Sequence, residues 1–412
     1  MKLCSPFIAM IMMLLVAFCP GGPDSLSSGS IFFQKESTVQ QSAKSPDNQE
    51  TEGQSSASAG DLNTAINQFN LGRAALERWD LIKAEEYFRN ALAIQEKLAP
   101  GSLAVARSLN GLGAVAEREG YSRKAENNYL LSLAISKILD PKGIDAAVSL
   151  HGLGNVALSR LDTDQGEKYL TEAFAIIKKF EPDGIEMAVL LNDLAEVKWR
   201  RDEVGQAEKL LRQALTIERR LAPESLERAA SLTGLGLLAF SSGKEKSKTY
   251  FGEALDLREK RVPNSLIVAN SLWLLGVCED DPAKSDGFYQ KARIIQGHLA
   301  PESLALAWTW GLLSQSALKQ GNFPAAEQYR RQELAIYQKL EPDSLLTAKA
   351  LEGLSDLFAK LGDLQRAEEQ ALLAVKIRER LGPGTERLAW SLSSLGDLAS
   401  SRGDLDAAQD YH

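Results

Sequence analysis

Apolar residues recur at helical spacing twice in each of a series of similar stretches that begin near Asp61. In the stretch that follows Pro100, apolar side chains three and four positions apart run through residues 102–119 and again through residues 122–139, with Gly120 between them. This spacing places the apolar side chains on one face of a helix. Each stretch therefore predicts two amphipathic helices joined by a tight turn, and the whole pattern predicts an all-α chain of helix hairpins.

Eight prolines stand between these hairpins at an almost constant step. Proline lacks the N–H that an inner helical turn needs, so each one ends the helix before it. Most neighbouring prolines of this series lie about 41 residues apart. One supersecondary unit copied end to end at a fixed step is typical of a solenoid. The prolines are Pro100, Pro141, Pro182, Pro223, Pro263, Pro301, Pro342 and Pro383.

The ends of the helices carry their own signals. Two residues after most of these prolines stands a Ser or Thr, whose hydroxyl can accept a hydrogen bond from the first turn of a helix. These residues are Ser102, Ser225, Ser265, Ser303, Ser344 and Thr385. Glycine between the two helices of a hairpin, as at Gly120, tolerates the left-handed conformation of a tight helix ending.

Aligning the hairpins on the prolines shows which positions are constant. One position of the first helix, here called the leucine position, is occupied by Leu71, Leu112, Leu153, Leu194, Leu235, Leu275, Leu313, Leu354 and Leu395. The residue after it is always Gly, Ala or Ser. In the second helix a small residue such as Ala84 precedes a bulky one, Phe88, by four positions, and Ala91 follows. Small side chains let helix axes approach, so these positions predict packing contacts.

The order of Leu-Gly, small, aromatic, Ala and Pro resembles the tetratricopeptide repeat over residues 61–412, as eight full units and one partial unit. The best-known unit of that family has about 34 residues. The unit of this chain is similar to the longer variety of kinesin light chains and of bacterial secreted repeat proteins. HEAT and armadillo arrays share its period but lack these positions. The resemblance implies a right-handed solenoid whose first helices line a concave groove that binds peptides or proteins.

In the resembled family, exposed positions of the first helix line the groove. Two of them lie five and two residues before the leucine position and are called here the minus-five and minus-two positions. They yield a predicted partner-binding site of Arg107, Asn110, His151, Asn192, Trp273, Trp308, Lys349 and Trp390. These positions vary between repeats, as a specificity surface would, but so would an unconstrained solvent face. The three tryptophans are either binding anchors or packing residues.

The segment before the repeats, residues 1–60, has a different character. After Lys2, residues 7–19 are almost purely apolar and too short to cross a bilayer comfortably, which predicts a signal peptide over residues 1–19 and a secreted or periplasmic protein. A lipid anchor at Cys19 is the weaker alternative, because Phe18 stands where a lipoprotein box takes a small residue. Residues 20–60 are rich in Ser, Gln and Gly and predict a disordered linker.

Composition and motifs argue against several functions. The net charge is −8, without the basic surface that nucleic-acid binding needs. Two of the three cysteines lie in the signal segment, and no spacing of Cys or His is typical of a metal site. The three histidines are scattered, and no phosphate-binding loop is present. We therefore predict a non-catalytic binding scaffold that needs no cofactor or metal and whose mature chain does not span a membrane.

Two irregularities leave an alternative open. The sixth hairpin is three residues short, and we expect the deletion in its turn, residues 278–285, with a kink there. The ninth hairpin stops at His412, within its second helix, so we expect a frayed end or a longer natural chain. Similar bacterial arrays precede a CHAT-like peptidase. The alternative function is thus the recognition part of a larger enzyme.

Overall fold

A computed structural model describes residues 52–78 and 80–411 of the chain. The predicted signal peptide and Cys19 lie outside these residues, and so do residues 20–51 of the predicted linker. The first helix begins at Glu52, so residues 52–60, expected in the linker, are helical. Because no proline interrupts this short stretch, the helix extends back from the first repeat.

The described residues form eighteen helices and no strand, which confirms the all-α solenoid of helix hairpins. In each hairpin the first helix is called the A helix and the second the B helix. They are, in order, α1 (Glu52–Glu77), α2 (Leu81–Leu98), α3 (Leu103–Arg118), α4 (Ser122–Leu139), α5 (Ile144–Ser159), α6 (Thr163–Phe180), α7 (Ile185–Arg200), α8 (Val204–Leu221), α9 (Leu226–Ala239), α10 (Lys244–Arg261), α11 (Leu266–Cys278), α12 (Pro282–Leu299), α13 (Leu304–Lys319), α14 (Phe323–Leu340), α15 (Leu345–Lys360), α16 (Leu364–Leu381), α17 (Glu386–Arg402) and α18 (Leu405–Tyr411).

The predicted helix starts are confirmed at five of the six hydroxyl positions. The hydroxyl of Ser102, for example, accepts a hydrogen bond from the backbone N–H of Val105, 3.4 Å away. Ser225, Ser303, Ser344 and Thr385 do the same in their repeats. Ser265 is the exception and makes no such bond. Each A helix therefore begins where the proline step places it.

The turn between the A and B helices contains a left-handed residue at the same place in most repeats. It is a glycine in five of them, such as Gly120 with φ of 81°. Leu161 and Asp202 occupy the equivalent place in the third and fourth hairpins, with φ of 63° and 62°. A side chain in this conformation carries strain that glycine avoids. The fold imposes the turn even where the sequence does not provide its preferred residue.

Aromatic rings of the B helices pack against glycines of two successive A helices. A Cβ added to Gly113 would lie 2.7 Å from the Tyr129 ring, and one added to Gly152 would lie 2.3 Å from it. Phe88 fits between Gly72 and Gly111 in the same way. The small and bulky positions of the sequence are thus packing positions, as predicted. Leu71, at the leucine position of the first hairpin, differs and is 45% exposed.

Two compact units divide the chain after Leu257, within α10. The first unit has apolar clusters around Leu150, Leu190 and Leu232. The second has a cluster around Tyr337 and Phe358. Each unit thus buries its own side chains between successive hairpins.

The deletion in the sixth hairpin does not lie where the sequence predicted it. Helix α11 has 13 residues, whereas α3, α5 and α13 have 16 each. Its turn, residues 279–281, is as long as the turn at residues 119–121. The chain therefore loses almost one turn of the A helix and keeps the connection. A turn already at its shortest cannot lose residues, whereas a helix can shorten by a turn and keep its buried face.

Candidate functional site

Consecutive hairpins are joined by buried pairs of side chains at a constant separation along the sequence. We call these the interface pairs: a residue near the end of each B helix, and a residue in the next A helix. The Ser108 hydroxyl donates to Gln95 Oε1 at 2.7 Å, and the Thr309 hydroxyl donates to Gln296 Oε1 at 2.7 Å. In one repeat the pair is Ile177 and Leu190, both apolar and buried. These pairs are structural, and the sequence analysis did not single them out, although their spacing was visible.

Four of the eight predicted site residues are buried, so the prediction that they are exposed is wrong. Asn110, His151, Asn192 and Trp273 all stand at the minus-two position and are at most 7% exposed. The cause is the close approach of the next hairpin to this position. Asn110 Nδ2 donates to the backbone carbonyl of Asp145 in the next A helix at 3.3 Å. Whether these residues ever touch a partner stays a prediction, but in this structure they join repeats.

His151 forms a deeply buried polar contact in the first unit. Its Nε2 lies 2.5 Å from Asp193 Oδ2, and Asn155 Nδ2 lies 3.3 Å from the same ring nitrogen. Burial raises the pKa of Asp193, and the hydrogen bond and charge of His151 oppose that rise. His151 and Asp193 come from consecutive A helices, α5 and α7, so the pair joins two repeats.

A second buried carboxyl lies at the interface pair between the fourth and fifth hairpins. Glu218 Oε1 accepts hydrogen bonds from the Ser231 hydroxyl at 2.9 Å and from Asn192 Nδ2 at 3.1 Å. Its other oxygen has no donor among the described residues. Burial raises the pKa of Glu218 to about 7, although both hydrogen bonds favour the charged form. This carboxyl therefore titrates near neutral pH.

The minus-five position of the first unit is also filled by internal contacts. Arg107 Nε donates to Asp145 Oδ1 at 3.0 Å, in an ion pair that crosses from one A helix to the next. Val148 and Val189 stand at the same position in the next two repeats and are buried. The A-helix face of the first unit thus leaves little free surface at the two predicted positions.

The minus-five position of the second unit carries Trp308, Lys349 and Trp390 on α13, α15 and α17. Lys349 Nζ lies 4.5 Å from the centre of the Trp308 ring, a cation–π contact. The Trp308 indole N–H is buried and has no hydrogen-bond acceptor in the described part of the chain. Trp390 is 71% exposed. The structure therefore brings Trp308 and Lys349 together and leaves Trp390 open to a partner.

Ion pairs support this face from the B helices behind it. Arg330 Nη1 lies 2.5 Å from Glu333 Oε2, and both side chains are buried. Glu333 fills the space that a side chain at Gly311 would take, and Arg330 fills the space at Gly353. Burial raises the pKa of Glu333, and the charge of Arg330 opposes that rise. The two glycines thus admit a buried ion pair beneath the A helices.

The next pair along the same face is Glu352 with Arg378. Two guanidinium nitrogens of Arg378 donate to the two Glu352 oxygens at 2.6 and 2.8 Å. The Ser391 hydroxyl also donates to Glu352, at 2.6 Å, which ties α17 to α15. Glu333 and Glu352 are thus both engaged by arginines of their own hairpins.

The remaining candidates are quickly placed. Cys278 is buried and forms no disulfide. Between Glu52 and Tyr411, leaving Trp79 aside, no group of three His, Cys, Asp or Glu side chains is arranged to hold a metal ion. In the same residues no helix has both the length and the apolar character needed to cross a bilayer.

Comparison with known proteins agrees with this architecture. A family model described as tetratricopeptide repeat matches residues 61–138, 145–220 and 305–380, together more than half of the chain. No curated protein matches it. Similar solved structures include the apo quorum sensor NprR from B. thuringiensis, with a TM-score of 0.63 and 12% identity over 86% of this chain and 97% of that one. The apo form of RapI has a TM-score of 0.59 and 17% identity, covering 84% of this chain and 95% of its own.

A Rap protein in complex with competence and sporulation factor is also similar. Its TM-score is 0.54 at 14% identity, and the match covers 87% of this chain and 99% of that chain. At these identities the three structures show a shared fold. The family match and the hairpin geometry agree with the resemblance found in the sequence. The chain belongs to the tetratricopeptide repeat family.

Proposed function

We propose that this protein is a non-catalytic scaffold that binds a peptide segment of a partner protein on the A-helix face of its second unit. One observation carries the proposal: the exposed Trp390 shares its register position with Trp308 and Lys349. An exposed tryptophan supplies a large, rigid contact area and is a frequent anchor of protein interfaces. At the same position the first unit has buried valines and a paired arginine.

The similar structures support a binding role in a general way. One of them is titled as a quorum sensor, and another was solved in complex with competence and sporulation factor. Solenoids expose extended surfaces that suit such complexes. The alternative, in which this array is the recognition part of a larger enzyme, uses the same face and differs only in what is attached to it.

The test is a selection of peptides on the full chain. A random peptide library is selected on the wild-type protein, and the binding of the selected peptides is then measured on Trp390→Ala and Trp308→Ala. Loss of an anchor of this kind weakens binding by about 2 kcal/mol, or roughly 30-fold. Peptides that bind both variants as tightly as the wild type would refute the proposed face.

A matched control separates this effect from a general loss of exposed aromatic surface. Tyr121 is an exposed aromatic residue of the first unit, in the turn before α4. Tyr121→Ala should leave the binding of the selected peptides unchanged. Thermal unfolding should be nearly the same for Trp390→Ala and the wild type, because Trp390 buries little surface within the chain.

We also propose that the mature protein is secreted or periplasmic, on the strength of the apolar run at residues 7–19. Fractionation of cells that express the full chain, followed by N-terminal sequencing, tests this. A protein that stays in the cytoplasm with Met1 intact would overturn it, and a lipid-modified Cys19 would favour the anchored alternative.

A further inference from the structure

One pair of register positions carries opposite charges in the first unit and two like charges in the second. In α3 and α5, Arg107 at the minus-five position pairs with Asp145, which lies eight residues before the next leucine position. In α15 and α17 the same two positions are Lys349 and Arg387. Since this register brings charged groups into contact across consecutive A helices, the second unit holds two cations where the first holds an ion pair.

No carboxylate of the described residues neutralises either cation at ion-pair distance. The nearest carboxyl groups on the helices packed against Lys349 are already engaged. Glu333 pairs with Arg330, and Glu352 accepts from Arg378 and Ser391. Lys349 Nζ rests on the Trp308 ring instead.

Several charges act on Lys349 at once. Burial is the largest effect and lowers its pKa, and the positive charges of Arg330 and Arg387 lower it further. Glu333 and Glu352 raise the pKa and only partly compensate. An anion placed between Lys349 and Arg387 would relieve this repulsion.

Trp390 lies one helical turn from Arg387 on α17. Residues three positions apart share a helix face, so the indole and the guanidinium are neighbours. Both side chains are exposed. A ligand that reaches the two cations with an acidic group therefore meets an open aromatic surface beside them.

We propose that Lys349 and Arg387 bind a carboxylate of an acidic peptide segment, with a neighbouring apolar side chain of that segment packed on Trp390. This inference rests on the proposed function and specifies the chemistry of its ligand. The chain as a whole carries a net charge of −8, so its overall field repels acidic peptides. Selective binding of an acidic peptide would therefore reflect this local arrangement.

The experiment compares three fluorescein-labelled probes of equal length, built from repeats of Glu-Glu-Leu, Gln-Gln-Leu or Lys-Lys-Leu, by fluorescence anisotropy on the full chain. We expect the Glu probe to bind at least about tenfold more tightly than the Gln probe, because a charge-assisted pair adds about 1.4 kcal/mol or more in a half-buried site. No binding of the Glu probe, or equal binding of the Glu and Gln probes, overturns the proposal.

Arg387→Asp is the decisive variant. It places a carboxylate opposite Lys349 and so reproduces the pair of Arg107 with Asp145. The internal ion pair should close the site and weaken the Glu probe at least about tenfold. Lys376→Asp makes the same change of charge on an exposed part of the B helix α16 and should leave the Glu probe within about twofold.

The outcomes separate this proposal from the proposed function. If Lys376→Asp weakens the Glu probe as much as Arg387→Asp does, the effect is the overall field and the carboxylate site is refuted. If selected library peptides lose affinity in Trp390→Ala but ignore Arg387→Asp, the peptide-binding face stands and the carboxylate site falls. If they ignore both variants, the face itself is refuted.

Discussion

Glu218→Gln should make the fourth interface pair insensitive to pH and more stable in alkaline solution. The wild-type carboxyl is fully buried, and its Oε1 already accepts the hydrogen bonds of Ser231 and Asn192. A glutamine keeps that acceptor oxygen. It replaces the second oxygen, which has no donor among the described residues, with an uncharged group. The substitution thus removes a buried charge and retains the contacts.

The magnitude follows from the pKa of Glu218, which burial raises from 4.5 to about 7. A folded-state pKa above the unfolded value stabilises the fold fully below about pH 4.5, and this contribution is lost as the pH rises through about 7. The difference corresponds to about 3 kcal/mol between acidic and alkaline solution. Asp193, Glu117 and Glu196, whose pKa values burial also raises, tilt the wild type and the variant alike.

Amide hydrogen exchange is the suitable assay, because a repeat array opens locally and a single global midpoint averages over its hairpins. Protection of α8 and α9, corrected for intrinsic rates, is compared at about pH 5 and about pH 8. The variant should be close to the wild type near pH 5. Near pH 8 it should open about 100-fold less often, the equivalent of about 3 kcal/mol.

Equal opening of wild type and variant near pH 8 would refute the reasoning, since Glu218 would then carry no cost of ionisation. Ser108→Ala provides a control at another interface pair, where the partner Gln95 does not titrate. It should reduce protection by the same factor at both pH values.

Three further predictions concern packing and backbone strain. Trp273→Ala should destabilise the second unit by about 3–5 kcal/mol in chemical denaturation, because the indole is only 7% exposed; a shift below about 1 kcal/mol would place it outside the core. Leu161→Gly should raise the stability of the third hairpin by about 0.5–1 kcal/mol by relieving a positive φ, and Gly120→Ala should lower that of the second by a similar amount. Ala207→Leu should lower the stability of the fourth hairpin by about 1–3 kcal/mol, because Ala207 is completely buried; an unchanged denaturation midpoint would contradict this.

The fold was predictable from the sequence because its signals are local and repeated. The proline step, the leucine position and the small residues after it each act within one hairpin. The aromatic ring of Tyr129 needs Gly113 beside it, and both stand at fixed offsets from Pro100. The shortened α11 was misplaced because a deletion of this size can fall in a helix or a turn without changing the proline step.

The candidate site was only partly predictable, for a different physical reason. Whether the minus-two position meets solvent depends on how closely consecutive A helices approach, and no residue pattern states that distance. Asn110 and His151 are therefore buried although the family pattern places them in a groove. Arg387 was missed because its role depends on Lys349 in the preceding repeat. The corresponding pair of Arg107 and Asp145 would have been the signal.

The interface pairs have a consequence for the history of the gene. Tandem copies of one unit invite recombination that deletes or duplicates a repeat in frame. Removing the fourth hairpin would leave every other helix intact but set Ile177 against Ser231, burying a hydroxyl beside an aliphatic chain. The native pairs differ along the array: Gln95 with Ser108, Ile177 with Leu190, Glu218 with Ser231 and Arg258 with Ser271. Selection against such mismatched products would hold the number and order of the repeats constant.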